Sequence, residues 1–123
     1  MRQWFGRLAD GDAGADLCSA EVRIDNVAEF PITGPYHGHD GVRRWWSDLR
    51  DAIDELRIEL EELVEVDDER VLTTQRMVGR FRHTGIELDA LWASIVWVRR
   101  GKIVRAAGHS SRRGAFRAAG LPE

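Results

Sequence analysis

The feature that most constrains this chain is an amphipathic helix followed at once by a long run of strands. Apolar residues recur every three to four positions after Asp40, which is placed to cap a helix of about four turns. They are Val42, Trp45, Trp46, Leu49, Ile53 and Leu56. Alternating apolar and polar residues then predict four consecutive strands between Ile58 and His109. The helix must cover something apolar, so we predict an α+β fold in which a bent antiparallel sheet wraps around it.

Shorter elements flank this unit. Trp4, Phe5 and Leu8 recur at helical spacing, and the alternating stretch Glu21–Val27 continues its apolar face into Asn26. Turn residues break up the segment that follows, and Ser111 is placed to cap a last helix. The predicted elements are helix 2–9, strand 21–27, loop 28–41 and helix 112–119.

Length and charge limit the classes of function. With 123 residues, 43% of them apolar, the chain has material for one core, and we expect a single domain, 1–123. The 18 basic and 21 acidic residues are interleaved, which argues against nucleic acid as a partner. The longest apolar runs, such as Ala93–Val98, fall far short of the roughly 20 residues of a membrane span, so we expect no membrane contact and a cytoplasmic location.

The third long strand predicts a partner. Between Leu91 and Val98 it is apolar on both faces, with Trp92 on one and Trp97 on the other. A helix covers only one face of a sheet. We therefore expect a homodimer through the outer face.

The histidines do not predict a metal site. His37 and His39 have a His-x-His spacing, but no third ligand follows at a fixed offset and the setting is a Gly-rich loop. His83 lies in a turn, whereas His109 ends the last strand and is a candidate proton carrier, because imidazole titrates near neutral pH. We expect no metal and no cofactor.

The stretch Glu21–Gly41, with Tyr36-His37-Gly38-His39-Asp40-Gly41 leading into Val42-Arg43-Arg44-Trp45-Trp46, resembles SnoaL-like proteins of the nuclear-transport-factor-2-like superfamily. The run Gly101-Lys102-Ile103-Val104 and the ending from Ser111 to Leu121 resemble the same family's last hairpin and terminal helix. The resemblance implies a cone-shaped α+β barrel, as in cystatin-like folds, whose curved sheet and helices enclose a pocket. The superfamily includes ketosteroid-isomerase-like and limonene-epoxide-hydrolase-like enzymes, polyketide cyclases and non-catalytic binding domains.

The resemblance also suggests site residues. Asn26 matches the base of the isomerases, with Asp25 beside it. Trp4 replaces the tyrosine of their first helix and Ala93 or Ser94 falls at the acid of their third long strand, so neither oxyanion donor of the isomerases is matched. Asn26 and Arg76 match the asparagine and the arginine of the hydrolases. Ile24 stands where their tyrosine would be, and Val78 and Gly108 stand where their two aspartates would be. On the family fold Asn26 and Arg76 would both point inward, where Arg76 either binds a ligand or pairs with a carboxylate such as Asp25 or Asp89.

The sequence therefore predicts a SnoaL-like pocket protein acting on a small hydrophobic carbonyl-type or polycyclic molecule. The catalytic candidates are Asp25, Asn26, Arg76 and His109. The candidate ligand-binding residues are Trp4, Ile24, Tyr36, Trp45, Trp46, Val78, Trp92 and Ser94. If it is an enzyme, the reaction is cofactor-free acid/base work such as isomerisation, cyclisation or hydration. The alternative is a non-catalytic ligand-binding or dimeric interaction module of the same fold.

Overall fold

Three helices and a six-stranded sheet build the protein in a computed structural model that describes residues 1–26, 32 and 34–122. The helices are α1 (Arg2–Ala9), α2 (Gly38–Ala52) and α3 (Arg112–Ala119). The strands are β1 (Cys18–Asp25), β2 (Tyr36–His37), β3 (Ile53–Glu65), β4 (Arg70–Phe81), β5 (Glu87–Arg99) and β6 (Lys102–His109), and a short 3-10 turn (Ala15–Leu17) precedes β1. Most of the predicted loop 28–41 that lies before β2 is outside the described residues.

The predicted antiparallel meander is present, and it carries two further strands. The strand order is β2-β1-β6-β5-β4-β3, so the curved sheet is not closed into a barrel. Strands β3 to β6 pair antiparallel in succession, whereas β1 joins β6 in parallel. Parallel strands need a long connection, and here α2 and strands β2 to β5 lie in the chain between β1 and β6. The α+β class is as predicted.

The prediction that α2 continues to Leu56 is wrong. The helix ends at Ala52, and Ile53 is already extended, with φ −128° and ψ 116°. A bulge between Asp54 and Arg57 interrupts the pairing with β4, so Ile53 and Leu56, three residues apart, both pack against the inner core. That spacing imitates a helix in the sequence.

The bulge depends on a glycine in the neighbouring strand. Glu55 has φ +54°, and a Cβ atom at Gly79 would lie 2.5 Å from Ile53 Cγ2 and 2.8 Å from the carbonyl oxygen of Asp54. Only a residue without a side chain lets β3 bend this closely over β4.

The two faces of the sheet have separate cores. The inner face holds α1 and α2, whose buried residues Trp4, Trp45 and Leu49 join the larger apolar cluster. The outer face holds α3, whose Ala115 and Phe116 join the smaller apolar cluster. The helix begins at the predicted cap, where Ser111 Oγ accepts a hydrogen bond from the Gly114 N–H at 3.0 Å. Within the described residues, no helix is long and apolar enough to cross a membrane.

Helix α3 covers part of the surface for which the sequence predicts a second copy. A smaller cluster forms there, and it consists of Leu72, Ala93, Ile95, Ala115, Phe116 and Ala119. The alanines let the helix approach the sheet closely. The chain itself therefore buries the middle of its outer face.

Candidate functional site

A cavity of about 80 Å³ lies between the inner face of the sheet and the two helices α1 and α2. Its apolar wall is contributed from both layers. Helix α1 supplies Trp4 and Phe5, helix α2 supplies Trp45, and the strands supply Met77 and Trp92. The wall is therefore mainly apolar and includes four large aromatic side chains, a composition typical of sites for small organic molecules.

The tryptophans of the two helices support one another. The rings of Trp4 and Trp45 are 5.8 Å apart and tilted by 39°. Trp4 donates its indole N–H to the carbonyl oxygen of Ala13 at 2.9 Å, which fixes the ring. Gly14 is needed beside it, because a Cβ atom there would lie 2.7 Å from the Trp4 ring. These contacts hold the aromatic wall in one conformation.

Asn26 forms part of the polar end of the cavity. Trp45 donates its indole N–H to Asn26 Oδ1 at 3.2 Å. An indole nitrogen can only donate, so this contact identifies the Asn26 oxygen and leaves the Nδ2 amine as the other arm. That amine is buried and has no hydrogen-bond partner among the residues that the structure describes. An unsatisfied buried donor is costly unless something else accepts from it.

The sequence did not single out Gln75, which completes this polar end. Its side chain is buried at 8% exposure and lines the cavity. Thr73 donates its hydroxyl to Gln75 Oε1 at 2.9 Å, and Gln75 donates its amide to Ser94 Oγ at 3.0 Å. The signal was the succession Thr73, Gln75 and Met77 at intervals of two residues, which puts all three on one strand face.

His109 is partly buried and lines the cavity. Desolvation by burial lowers the pKa of its imidazole below the usual value of 6.5. The imidazole is therefore neutral near pH 7. His109 follows Gly108 and opposes Ala93, a residue of the outer cluster, in the β5–β6 ladder. Its register is therefore that of the outer face, and it borders the cavity only at the edge.

Asp25 also borders the cavity, but its carboxylate is engaged elsewhere. Both oxygens accept from Arg23 Nε, at 2.9 and 3.1 Å, and one lies 3.4 Å from Arg105 Nε. Strand alternation separates Asp25 from its neighbours Ile24 and Asn26, which are on the inner face. Asp25 therefore resembles a paired surface carboxylate more than a free base.

Four sequence candidates lie away from the cavity lining. Arg76 does not point inward with Asn26: it is 39% exposed on the outer face, where its Nη1 lies 2.6 Å from Asp89 Oδ1. Arg76 Nε also lies 3.5 Å from Glu61 Oε1. The alternation of β4 explains this, because Gln75 and Met77 take the inner positions on either side of Arg76. Val78, two residues further, falls on the same outer face.

The other two are aromatic. Tyr36 is buried and donates its hydroxyl to Asp48 Oδ2 at 2.8 Å, and burial together with this carboxylate raises the pKa of Tyr36 to about 12. Trp46 packs on the far flank of α2, with Arg50 5.9 Å above its ring. Adjacent residues of a helix point in different directions, so with Trp45 facing the cavity Trp46 cannot face it as well.

The described histidines do not gather metal ligands. His39 hydrogen-bonds the carbonyl oxygen of Cys18 at 2.8 Å, and His37 is exposed on β2. No group of three or more His, Cys, Asp or Glu side chains that could hold an ion occurs in the described part of the chain. Burial raises the pKa of the Cys18 thiol to about 11, which disfavours the reactive thiolate.

Comparison with known proteins agrees with the fold. The family model for the SnoaL-like domain matches residues 1–106 of this chain. A crystal structure of an NTF2-like protein from Burkholderia thailandensis is 23% identical, with a TM-score of 0.78 over 98% of this chain and 95% of that one. No curated protein sequence matches.

Two further crystal structures of similar fold contain small molecules. A protein of ketosteroid isomerase-like fold from Catenulispora acidiphila, in complex with trimethylamine, is 14% identical with a TM-score of 0.76, over 97% of this chain and 90% of that one. TerC, co-crystallised with polyporic acid, is 14% identical with a TM-score of 0.74, over 94% and 92%. At such identities the likeness concerns the fold alone.

Proposed function

We propose that this chain, which belongs to the SnoaL-like domain family, binds a small, uncharged and mostly apolar molecule in the cavity between its Trp-rich helices and the sheet. One observation carries the proposal. A mainly apolar cavity ends in buried polar groups of which one, the Asn26 amine, has no partner within the described residues. Similar folds crystallised with trimethylamine and with polyporic acid support the use of this fold for small molecules.

The cavity volume limits the size of the ligand. About 80 Å³ is far below the roughly 300 Å³ at which sites for drug-sized ligands begin. An engineered apolar cavity of about 150 Å³ in another protein holds benzene. The expected ligand therefore has fewer atoms than benzene, and the polycyclic ligand considered from the sequence does not fit this conformation.

The groups around the cavity favour an uncharged ligand. The ionisable residues of its lining are Asp25 and His109. The first is paired with two arginines, and the second is neutral near pH 7 because of its desolvation. Neither offers a free charge to an ionic partner.

Isobutene is a suitable probe for this proposal, since it has four carbon atoms and no hydrogen-bonding group. We expect it to shift the amide signals of cavity residues in NMR titrations. Ala106→Leu should abolish these shifts, because Ala106 lines the cavity and the added carbons would fill it. Ala107→Leu is the matched control, one residue along β6 on the other face. Equal isobutene binding by the Ala106→Leu and Ala107→Leu variants would exclude the cavity as the site.

A second candidate function is cofactor-free acid/base catalysis, such as isomerisation, cyclisation or hydration. The desolvated His109 favours it, since a neutral imidazole at the edge of an apolar cavity can accept a proton at neutral pH. The test is the exchange of acetone methyl protons for deuterium in D2O. His109→Gln should slow this exchange and remove its pH dependence, with Asp25→Asn as the comparison. An unchanged pH–rate profile in His109→Gln would leave binding as the function.

We also propose that a second copy of the chain packs on the part of the outer face that α3 leaves open. Leu91 lies there with 47% of its surface exposed. Leu91 pairs across the β4–β5 ladder with Arg76, which is itself paired with Glu61 and Asp89. Leu91→Asp should convert a dimer into a monomer in sedimentation experiments. A wild-type chain that sediments as a monomer would contradict the proposal.

A further inference from the structure

A second concave surface lies between the C-terminal end of α2 and the turn that joins β4 to β5. This surface, which we call the α2-end groove, has a volume of about 550 Å³. It shares no lining residue with the cavity on the inner face of the sheet. Its volume lies within the roughly 300–1,000 Å³ that is usual for sites of small organic ligands. The groove can therefore hold a larger molecule than the inner cavity can.

The floor of the α2-end groove is apolar and is built by Ile32, Ala52, Phe81 and Ile86. Ile86 is 62% exposed, although its backbone is held on both sides. Its carbonyl oxygen accepts a hydrogen bond from the Phe81 N–H at 2.9 Å, and its own N–H donates to Thr84 Oγ1 at 3.2 Å. The turn thus presents a fixed apolar surface, which a ligand would remove from water.

Asp48 provides a carboxylate at the edge of this apolar floor. The side chain is partly buried, and its Oδ2 accepts a hydrogen bond from the Tyr36 hydroxyl at 2.8 Å. No cationic side chain of the described residues pairs with it. Arg44, one turn earlier on α2, lies instead over the Tyr36 ring, 5.4 Å from its centroid. The Asp48 charge is therefore oriented by a neutral donor and has no described counter-ion.

The rest of the rim adds negative charge. Asp51 also lines the groove, and its only described ion pair is a long one, 3.9 Å from Arg82 Nη1. Arg82 makes a closer contact to Asp54, at 2.8 Å. Exposed His83 lies on the same rim. Within the described residues, no lysine or arginine lines the groove.

This combination of an apolar floor and a carboxylate without a counter-ion selects the charge of the occupant. An anion would be repelled by Asp48 and Asp51. A neutral molecule would gain only the apolar contact. An organic cation would gain the apolar contact and a charge-assisted hydrogen bond as well.

We propose that the α2-end groove binds a small organic cation with an apolar body, such as a protonated alkylamine. The ammonium group donates to Asp48, and the hydrocarbon part covers Phe81 and Ile86. Tyr36, a ligand-binding candidate from the sequence, is a positioning residue in this site, since it orients the Asp48 carboxylate and does not contact the ligand. The site is separate from the inner cavity and does not depend on its function.

Three probes with the same six-membered ring test the proposal. Cyclohexylammonium, cyclohexanol and cyclohexanecarboxylate carry a positive, a neutral and a negative group. We expect cyclohexylammonium to shift the backbone amide signals of Phe81, Thr84 and Ile86 in NMR titrations. Cyclohexanol should bind more weakly, and cyclohexanecarboxylate should cause no shift. The ring is too large for the inner cavity of about 80 Å³, since benzene occupies a cavity of about 150 Å³ in another protein.

Variants then separate the charge from the apolar floor. Asp48→Asn keeps an acceptor for the Tyr36 hydroxyl and removes the charge, so cyclohexylammonium affinity should fall about tenfold while cyclohexanol affinity stays the same. Asp40→Asn is the matched control, because it removes an exposed carboxylate from the other end of α2. Ile86→Ser should weaken both probes by a similar factor.

The outcomes that would overturn the proposal are distinct from those that concern the inner cavity. Cyclohexylammonium that does not bind, or binds no better than cyclohexanol, would overturn it, as would equal losses of affinity in Asp48→Asn and Asp40→Asn. Ala106→Leu fills the inner cavity and should leave cyclohexylammonium binding unchanged. A loss of binding in that variant would place the cation in the inner cavity and refute the second site. The comparison of probes uses the wild-type chain, so a folding defect in a variant would not prevent the test.

Discussion

The two faces of the sheet are packed in different ways. On the inner face large aromatic side chains leave a cavity, and a buried donor at Asn26 lacks a described partner. On the outer face small alanines let α3 close onto Leu72, and Arg112 both pairs with Glu62 at 2.8 Å and lies 4.0 Å over the Phe116 ring. The outer side is arranged for stability, whereas the inner side keeps space and unsatisfied polarity. This difference is the physical ground for placing function on the inner face.

The largest effect that would sharpen the comparison is expected at Phe116. Phe116→Ala removes the main side chain of the outer core, which is only 8% exposed. We expect the free energy of unfolding to fall by about 3–5 kcal/mol, measured by urea denaturation. Isobutene should still bind the folded variant with unchanged affinity. If probe binding weakened as well, the two faces would be coupled and the contrast would fail.

A smaller loss is expected at Gln75 on the inner face. Gln75→Leu leaves the Thr73 and Ser94 hydroxyls without the partner that each has now. The free energy of unfolding should decrease by about 1–3 kcal/mol. Isobutene affinity should change as well, because Gln75 lines the cavity. Thermal denaturation together with NMR titration measures both, and a change in stability with no change in isobutene affinity would limit Gln75 to a structural role.

The cap of α3 should contribute less. Ser111→Ala removes the hydrogen bond to the Gly114 N–H, and we expect a loss of about 1 kcal/mol in urea denaturation. Ser111→Asp retains an acceptor and is the matched control. Probe affinities should stay at the wild-type value in both variants, and any consistent shift would show that α3 influences the cavity.

The smallest effect concerns the pH dependence of stability. Burial lowers the pKa of His109 in the folded state, so the unfolded chain binds this proton more readily. The stability linked to His109 is fully present above the unfolded pKa of about 6.5 and is lost as the pH falls through the lower folded pKa. His109→Gln should therefore lose less stability than the wild type between about pH 7.5 and pH 5. Parallel curves for the two proteins would show that the imidazole is not desolvated.

The sequence predicted most of the fold because its periodic elements have strong local signals. The cap at Ser111 is where the pattern indicated. The helix of Trp45 is present as predicted, although it runs from Gly38 to Ala52 and neither begins at the expected cap Asp40 nor continues to Leu56. The parallel pairing of β1 with β6 was missed, since pairing between strands about 80 residues apart in the chain leaves no local pattern. The bulge near Glu55 was missed for the opposite reason, because it produced a local pattern that belongs to a helix.

The site was predictable in its apolar part and less so in its polar part. Trp4, Ile24, Asn26, Trp45, Trp92 and Ser94, which were candidates from the sequence and its family resemblance, line the cavity. Arg76 was carried inward by a resemblance, whereas the alternation around Met77 places it outward. Gln75 was missed although it alternates with Met77 on one strand face, because the sequence does not show the two hydroxyl partners that hold it. Which face a polar strand residue takes depends on register, and register is a property of the assembled sheet.

The Gly79 contact has a consequence for how such chains can change over time. Because Ile53, Asp54 and Leu56 lie so close to Gly79, the bulge fixes the register of β3 on β4. Deleting one residue there would turn Ile53 from the core toward solvent, whereas deleting one from the turn at residues 82–86 would only shorten a loop. Length variation should therefore be tolerated at that turn and forbidden before Arg57, and an alignment that places a gap at Glu55 would assign the preceding residues to the wrong face.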